Sequence, residues 1–206
     1  MNEIGLDPGI DHMSAMKIID KIKDEGNELV MFKSYTGGLI APESDNNLWN
    51  YKFTWNPRNV VLAGQGGDAK FIEENKKKQI PYSRLFMNTE ALEIDEYGSF
   101  EAYPNRDSLK YRSIYKLDNI STILRGTIRR AGFSKAWNVF VSLGMTDDNY
   151  SIKNSYMMSY SNYVDSFLLS NSNKSIESRI KKRLGINEKN VIWDKLLELD
   201  IFSSTK

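Results

Sequence analysis

Hydrophobic residues recur at helical spacing in several parts of the chain. Between Ile10 and Glu25 they return every three or four positions, which predicts an amphipathic helix that stops at Gly26. The same spacing predicts a helix over 133–143, where Gly144 is the stop signal. Further on, it predicts three helices, over 156–169, 175–184 and 190–199. No strand pattern appears after the segment 145–151, so the end of the chain is predicted to be a helical subdomain.

Strand patterns fill much of the region before that segment. Apolar or alternating runs predict strands at 28–35, 91–94, 99–103 and 121–130, and two more between 69 and 80 joined by residues 74–78. Short helices are predicted over 57–62, where Pro57 suits the first helical position, and over 82–87. Strands and helices thus share one region, which predicts an α+β fold. We place the boundary to the helical subdomain between residues 147 and 148.

Composition narrows the possible partners. The 28 basic and 27 acidic residues leave a net charge of +1, so neither nucleic acid nor an acidic membrane is expected as a partner. The chain has no cysteine and one histidine, which excludes disulfides and argues against a structural zinc site; no metal is expected. No apolar run is long enough to span a bilayer. Aromatic residues make up 12%, which suits a core, a small-molecule pocket or a subunit contact.

The turn Asp7-Pro8-Gly9, just before the first helix, holds the first candidate for chemistry. One interpretation of Asp7 is a helix N-cap, and the other is a functional carboxylate at the point where a strand meets a helix. His12, in the first helical turn, is either a packed or capping histidine or a functional group. The pair Gly37-Gly38 indicates either a turn or a place where the backbone comes close to a ligand or another strand.

Arginines near strand ends are the second group of candidates. Arg106 follows a predicted strand and is either a partner of a surface carboxylate or a bidentate ligand for a substrate carboxylate. By the two-residue period of a strand, Arg125, Thr127 and Arg129 share one face. Such a polar stripe suits an anionic ligand, and an exposed sheet face gives the same pattern.

Six stretches, in this order, resemble the family of saccharopine reductase, the glutamate-forming saccharopine dehydrogenase of lysine metabolism. They are Asn-Glu-Ile-Gly-Leu-Asp-Pro-Gly-Ile-Asp-His (2–12), Ser-Tyr-Thr-Gly-Gly (34–38), Ala-Pro-Glu (41–43), Tyr-Lys-Phe-Thr-Trp (51–55), Ala-Tyr-Pro-Asn-Arg-Asp-Ser (102–108) and Leu-Arg-Gly-Thr-Ile-Arg (124–129). The resemblance extends as far as the helix over 133–143, and beyond it the chain is similar only in its helical character.

The resemblance implies a fold and an activity. Residues 1–147 are expected to be a substrate-binding and dimerisation domain whose mixed, largely antiparallel sheet is flanked by helices, similar to the C-terminal domain of glyceraldehyde-3-phosphate dehydrogenase. Residues 148–206 are expected to be the helical subdomain. The implied enzyme is a cytoplasmic, homodimeric, NADP-dependent oxidoreductase that acts on the CH–NH bond of saccharopine in amino-acid biosynthesis. Its N-terminal Rossmann domain, which binds most of the NADP(H), is expected to be missing from these 206 residues, which are then inactive alone.

Site residues follow from the matching positions. The residues that the resemblance assigns to the substrate are Asp7, Arg106, Thr127, Ile128 and Arg129. Those that it assigns to the cofactor are Leu6, Pro8, Gly9 and Trp55. Asp7 is the candidate general acid or base, with His12 and Tyr35 behind it, because a carboxylate beside an amine can take its proton.

Two departures from the family pattern keep alternatives open. Thr36 stands where the eukaryotic pattern has cysteine, so no thiol role is carried over. The loop 45–50 is longer than the fungal pattern and has Asn47 in place of proline. The substrate is therefore saccharopine or a similar polycarboxylate amino acid. The alternatives are a sibling enzyme that reduces the imine of a carboxylated polyamine precursor, and a dimerisation or ligand-binding module without turnover.

Overall fold

The computed structural model describes residues 5–63, 67–168, 173–187 and 189–205. Its helices are α1 (Ile10–Asp24), α2 (Pro57–Leu62), α3 (Tyr82–Leu85), α4 (Tyr111–Ile114), α5 (Phe133–Leu143), α6 (Tyr160–Asp165), α7 (Ile176–Leu184) and α8 (Val191–Glu198). Its strands are β1 (Met31–Thr36), β2 (Ala69–Glu73), β3 (Lys76–Ile80), β4 (Glu90–Ile94), β5 (Gly98–Pro104) and β6 (Thr122–Arg130). Short 3₁₀ turns lie at Pro42–Ser44 and Ser155–Met157.

The six strands form one mixed sheet. Its order is β3-β2-β6-β5-β4, and β1 pairs with β6 in parallel. The pairs β2–β3, β2–β6 and β4–β5 are antiparallel. This architecture confirms the predicted α+β class with a largely antiparallel sheet flanked by helices. In the parallel pair, Thr36 at the end of β1 lies opposite Thr127 of β6.

Two local predictions are corrected by the structure. The lysines 76–78 belong to β3 and not to the connection, which consists of Glu74 and Asn75, both with positive φ. Asparagine tolerates that backbone region and favours the tight turn at this point. The first tail helix is shorter than expected, because Ser159 is its N-cap and accepts a hydrogen bond from the Asn162 N–H. Its predicted end at Leu169 lies outside the described residues.

The described residues form two compact units. The first consists of the chain up to Gly38 and the segment from residue 67 to Arg129, and it contains the sheet except the last residue of β6. The second consists of the segment from Leu39 to residue 63 and the described residues from Arg130 onward. The boundary predicted between residues 147 and 148 falls inside the second unit, and it stays a prediction. No helix in the described ranges is long and apolar enough to cross a membrane.

The core of the first unit includes α1 and the face of β6 that carries Ile123. Its buried members are Ala15, Ile19, Ile72, Tyr115, Leu117, Ile120 and Ile123. Because side chains alternate along a strand, Arg125 and Thr127 continue the face of Ile123. That face is still buried at Arg125 and becomes half-buried at Thr127 and Arg129. The polar residues of β6 therefore extend the core-facing surface towards solvent.

The second unit has its own aromatic core. Trp49 packs against α5, with ring centroids 6.0 Å from Phe133 and 5.8 Å from Phe140. Its indole N–H donates to the main-chain oxygen of Lys195 in α8 at 2.7 Å. The buried indole thus joins the loop after residue 45 to α5 and α8.

Candidate active site at the ends of β1 and β6

The turn before α1 is built around Gly9 and Asp11. Gly9 is the N-cap of α1, with φ of 149°, and its N–H donates to Asp11 Oδ1 at 2.8 Å. A side chain at Gly9 would meet the main-chain oxygen of Gly5 at 2.2 Å, so only glycine fits there. The N-cap interpretation of Asp7 is therefore wrong. The Asp7 carboxylate contacts Thr36 and Arg125 and not the free N–H groups of the helix.

Arg125 is the cation at the centre of the site. Its side chain is only 5% exposed, and Nη2 contacts both Asp11 Oδ2 and, at 3.3 Å, Asp7 Oδ1. The guanidinium lies over the Tyr111 ring, 4.1 Å from its centroid. Burial alone opposes the charge, but the pKa of Arg125 is raised because Tyr115, Tyr111 and the two carboxylates outweigh that effect. The buried guanidinium of Arg125 therefore forms ion pairs with two carboxylates.

His12 is packed beside this cluster. Its Nδ1 lies 2.6 Å from the Tyr115 hydroxyl, and its ring stacks on Tyr111 at a centroid distance of 5.4 Å. Burial raises the pKa of Tyr115 to about 12, and Arg125 offsets only part of that effect, so the Tyr115 hydroxyl keeps its proton at neutral pH. Nδ1 of His12 is therefore engaged by the Tyr115 hydroxyl. This geometry favours the packed-histidine interpretation.

The raised pKa of Tyr115 makes the stability of the fold sensitive to alkaline pH. An unfolded tyrosine loses its proton near pH 10.0, whereas folded Tyr115 keeps it to about pH 12. Its stabilising contribution is therefore complete below pH 10 and is lost as the pH rises towards 12. Urea unfolding of Tyr115→Phe at a series of pH values should show a smaller fall across this window than the unchanged chain. The exposed Tyr156→Phe is the control; equal falls in all three proteins would contradict the prediction.

A row of polar groups continues from Asp7 across the ends of the two parallel strands. The Thr36 hydroxyl donates to Asp7 Oδ2 at 2.5 Å. Thr127, opposite Thr36, donates its hydroxyl to Asn105 Oδ1 at 2.8 Å. The main-chain N–H of Asn105 donates to the main-chain oxygen of Arg125 at 2.8 Å, which holds Asn105 in place. The structure thus brings the predicted residues Asp7 and Thr127 to one edge of the sheet.

Arg129 lies further along the same face of β6. Its Nη1 donates to the main-chain oxygen of Ile128 at 2.9 Å, and it occupies the space beside Gly37. A Cβ atom on Gly37 would lie 2.2 Å from the Ile128 oxygen and 2.8 Å from Arg129 Nη1. The prediction that this glycine pair allows a close backbone approach is therefore confirmed for Gly37, and the neighbour is β6. Ile128 itself has its side chain buried.

Tyr35 faces the other side of the sheet. It lies opposite Gly126, and its hydroxyl donates to Glu90 Oε2 at 2.7 Å. Burial and this carboxylate, which also binds Lys33 at 3.0 Å, raise the pKa of Tyr35 above its ordinary value. A cavity of about 480 Å³ opens on this side, lined in part by Tyr35, Glu90 and Tyr103. The structure therefore does not bring Tyr35 together with Asp7.

The remaining predicted residues lie in two places. Arg106 is exposed in the loop after β5, directly after Asn105, and its main-chain oxygen accepts from the Lys70 N–H at 2.7 Å. Leu6, Pro8 and Gly9 belong to the turn before α1. Trp55 belongs to the second unit and is exposed. Within the described ranges, no three His, Cys, Asp or Glu side chains are grouped so as to hold a metal ion.

Sequence reasoning missed several partners that define the site. They are Asp11, Asn105, Tyr111 and Tyr115, and also Arg125, which was assigned to the polar stripe but not to the site. A usable signal was present for Arg125. An arginine between buried strand residues requires a nearby carboxylate, and two carboxylates stand in the turn and first helical residues before His12.

Comparison with known proteins places the chain among relatives that are longer than it is. The family model for the saccharopine dehydrogenase C-terminal domain matches residues 5–199. The chain is 42% identical over 148 residues to "Saccharopine dehydrogenase [NADP(+), L-glutamate-forming]" of Schizosaccharomyces pombe, which covers 72% of this chain and 33% of that protein. It is 43% identical over 147 residues to the mitochondrial alpha-aminoadipic semialdehyde synthase of Rattus norvegicus. This match covers 70% of this chain and 16% of that protein.

A solved structure agrees with these matches. The apo histidine-tagged saccharopine dehydrogenase (L-Glu forming) from Saccharomyces cerevisiae superposes with a TM-score of 0.83 at 32% identity. The match covers 98% of this chain and 46% of the yeast chain. Because the family model spans nearly the whole chain and both units match the solved fold, this chain belongs to the saccharopine dehydrogenase C-terminal domain family.

Proposed function

We propose that this chain is the substrate-binding, catalytic domain of an NADP-dependent oxidoreductase that acts on the CH–NH bond of saccharopine in lysine metabolism. The observation that supports it best is the polar edge of the first unit, where Asp7 and Thr127 lie together beside Arg129. The Schizosaccharomyces pombe relative is named as an NADP(+)-dependent, L-glutamate-forming saccharopine dehydrogenase. Saccharopine carries several carboxylates and a secondary amine, so a ligand site for it needs both cations and an acceptor for the amine.

Asp7 is the best-placed candidate for handling the proton of the amine. Its side chain is 34% exposed, and each of its oxygens accepts one hydrogen bond, from Thr36 and from Arg125. A carboxylate oxygen has two lone pairs, so both oxygens can accept another proton donor. His12 Nδ1 is engaged in a hydrogen bond with the Tyr115 hydroxyl, and Tyr35 is on the opposite face of the sheet. We therefore assign Asp7 the role of general acid or base.

Two arginines are proposed to hold the carboxylates of the substrate. Arg106 lies beside Asn105 in the loop after β5, and Arg129 follows Thr127 on its face of β6. Planar guanidinium groups bind carboxylates through two parallel hydrogen bonds, which fixes orientation as well as position. Two such clamps on separate elements would hold the substrate so that its secondary amine is presented to Asp7.

NADP(H) is proposed to supply the hydride chemistry. The exposed apolar side chain of Leu6, next to Asp7, fits contact with a nicotinamide ring. The cofactor role of Trp55, an exposed residue of the second unit, stays a prediction of the resemblance. Most contacts to the cofactor are proposed to come from a Rossmann domain of the kind that the resemblance implies. The homodimer and the cytoplasmic location stay predictions.

Ligand binding by these 206 residues tests the proposal. Saccharopine at 100 times its dissociation constant should stabilise the fold by about 2.7 kcal/mol. For a domain of this size that corresponds to an increase in Tm of roughly 5–10 °C. Replacing Arg106 by alanine should weaken the affinity at least tenfold, in line with the loss of a charge-assisted hydrogen bond of about 1.5–3 kcal/mol.

The control is Arg58→Ala, which removes another exposed arginine, one that belongs to the second unit, and should leave the affinity unchanged. L-glutamate and a carboxylated polyamine precursor are titrated in parallel to compare substrates. The absence of a Tm increase with saccharopine would contradict the proposal, and so would a larger increase with the polyamine precursor. No turnover of saccharopine with NADP is expected from these residues alone.

A further inference from the structure

We infer that Asp11 is a positioning residue, which holds the cation of Arg125 and thereby leaves the carboxylate of Asp7 available to a ligand. The inference rests on the proposed function for the role of Asp7. The Asp11 side chain is only 2% exposed, so a ligand cannot touch it, whereas that of Asp7 is 34% exposed. Any influence of Asp11 on a ligand must therefore pass through Arg125 and Asp7.

The two carboxylates share one nitrogen atom of Arg125. Its Nη2 donates to Asp11 Oδ2 and, at 3.3 Å, to Asp7 Oδ1. This nitrogen carries two protons, so each carboxylate receives one. Hydrogen bonds between a charged donor and a carboxylate usually measure about 2.7–2.9 Å, so the contact with Asp7 is a long one. Asp11 and Asp7 therefore compete for the same cation, and Asp7 is held loosely.

The buried members of this cluster are fixed by their surroundings. Asp11 Oδ1 accepts a main-chain N–H of the turn before α1 at 2.8 Å. The main-chain N–H of Arg125 donates at 2.8 Å to the hydroxyl of Ser108, which is fully buried. The Tyr111 ring covers the guanidinium. The cation is thus held in place, and the exposed carboxylate of Asp7 is the part of the cluster that can change its position.

Loss of the charge at position 11 would change what Asp7 does. Of the two carboxylates, Asp7 alone would then balance the charge of Arg125. It would be drawn to Nη2, away from the hydrogen bond that it accepts from Thr36 and away from a ligand. The charge of the cluster would also rise from −1 to zero. Asp11 therefore determines how much of the Asp7 charge the protonated amine of the substrate meets.

A purely structural role of Asp11 has a different signature. Asp11 also stabilises the turn by accepting the Gly9 N–H, and this contact does not involve Asp7. Asp11→Asn keeps Oδ1 for that contact and removes the charge. An effect that depends on Asp7 and Arg125 therefore identifies the competition, and an effect that is independent of them identifies a role in folding alone.

The first measurement needs no ligand. Urea unfolding at neutral pH compares the effect of Asp7→Asn in the unchanged chain with its effect in the Asp11→Asn chain. Because Asp7 takes over the pairing with Arg125 in the second case, Asp7→Asn should lower the unfolding midpoint there by at least twice as much. In the control background Asp20→Asn, on the exposed side of α1, the shift should match that of the unchanged chain. Equal shifts in all three backgrounds would overturn the inference.

The second measurement is the affinity for saccharopine in calorimetric titrations of the 206-residue chain. Asp11→Asn should weaken it roughly tenfold, in the range expected for one charge a few ångströms away, and Asp20→Asn should leave it unchanged. Adding Arg125→Gln to Asp11→Asn removes the competing cation and restores the cluster charge of −1. The double variant should therefore bind within about threefold of the unchanged chain. Neither member of its buried pair is charged, so it also serves where Asp11→Asn alone folds poorly.

Two results in these titrations would overturn the inference. One is an Asp11→Asn chain with unchanged affinity, and the other is a loss of affinity that Arg125→Gln does not reduce. If the unchanged chain binds saccharopine and either result is found, only the role of Asp11 is refuted. If the unchanged chain does not bind saccharopine, the proposed function fails and the inference fails with it.

Discussion

Replacing Arg125 by methionine should lower the free energy of unfolding by about 3–5 kcal/mol, the usual cost of removing one partner from a buried ion pair. The Asp11 side chain is only 2% exposed and would lose its cation without gaining water. Asp7 would lose one of its two partners as well. Methionine fills a similar volume, so the effect reports the unpaired charge more than a cavity. Urea unfolding at neutral pH measures it.

The chain contains a matched control for this substitution. Arg58 pairs with Asp148, but these side chains are 69% and 38% exposed. Arg58→Met removes the same kind of pair from water-accessible surroundings and should cost less than about 1 kcal/mol. A loss at Arg125 no larger than that at Arg58 would contradict the prediction.

A double substitution separates the lost pairing from other effects at Arg125. Asp11→Asn keeps Oδ1, which accepts the Gly9 N–H, and removes the charge that Arg125 balances. In the double variant Asp11→Asn, Arg125→Met, no buried carboxylate remains at position 11. Its destabilisation should therefore be smaller than the sum of the two single variants. Strict additivity would mean that the two side chains do not interact.

The elements that could be predicted are those whose pattern is local. The helical spacing over α1 and α5 predicted both helices to within a residue, because each buries one stripe and ends at a glycine. The two-residue period of β6 correctly placed Arg125 and Thr127 on one face. The pattern was weaker where a polar strand lies at the edge of the sheet. A run of like charges is typical of a connection, so the pattern of lysines 76–78 predicts one although these residues lie in β3.

The site partners could not be read from such patterns. Asp7 and Arg125 are 118 residues apart, and the place of Arg125 among buried strand residues indicates that a carboxylate is near without showing which one. His12 and Tyr115, whose side chains form a hydrogen bond, are likewise 103 residues apart in the sequence. Only the resemblance to a family placed Asp7 and Thr127 in one site, because an ordered set of motifs carries tertiary information that a single segment lacks. It assigned no site role to Asp11 or Tyr111, which contact the guanidinium of Arg125.

Replacing Gly37 by alanine should disturb both the fold and the proposed site. The new methyl group would lie 2.2 Å from the main-chain oxygen of Ile128. That oxygen is part of β6, so the end of β1 must move away from its parallel partner. Overpacking of this kind costs about 1–3 kcal/mol, and the backbone contact places the expected loss near the upper end. The 2.8 Å contact with Arg129 Nη1 adds little to stability, because the end of a long side chain can move.

The adjacent glycine offers a control with the opposite sign. A Cβ atom on Gly38 meets no described atom within 4 Å, and its backbone is not in the left-handed region. Gly38→Ala should therefore be neutral or stabilise the fold by about 0.4–1 kcal/mol, because alanine reduces the freedom of the unfolded chain. Saccharopine titrations extend the comparison to function. Gly37→Ala moves Thr36 and displaces Arg129, so it should weaken binding, whereas Gly38→Ala should not. Equal stability and equal affinity in the two variants would mean that β1 and β6 can separate here at no cost, and that the polar edge does not depend on their register.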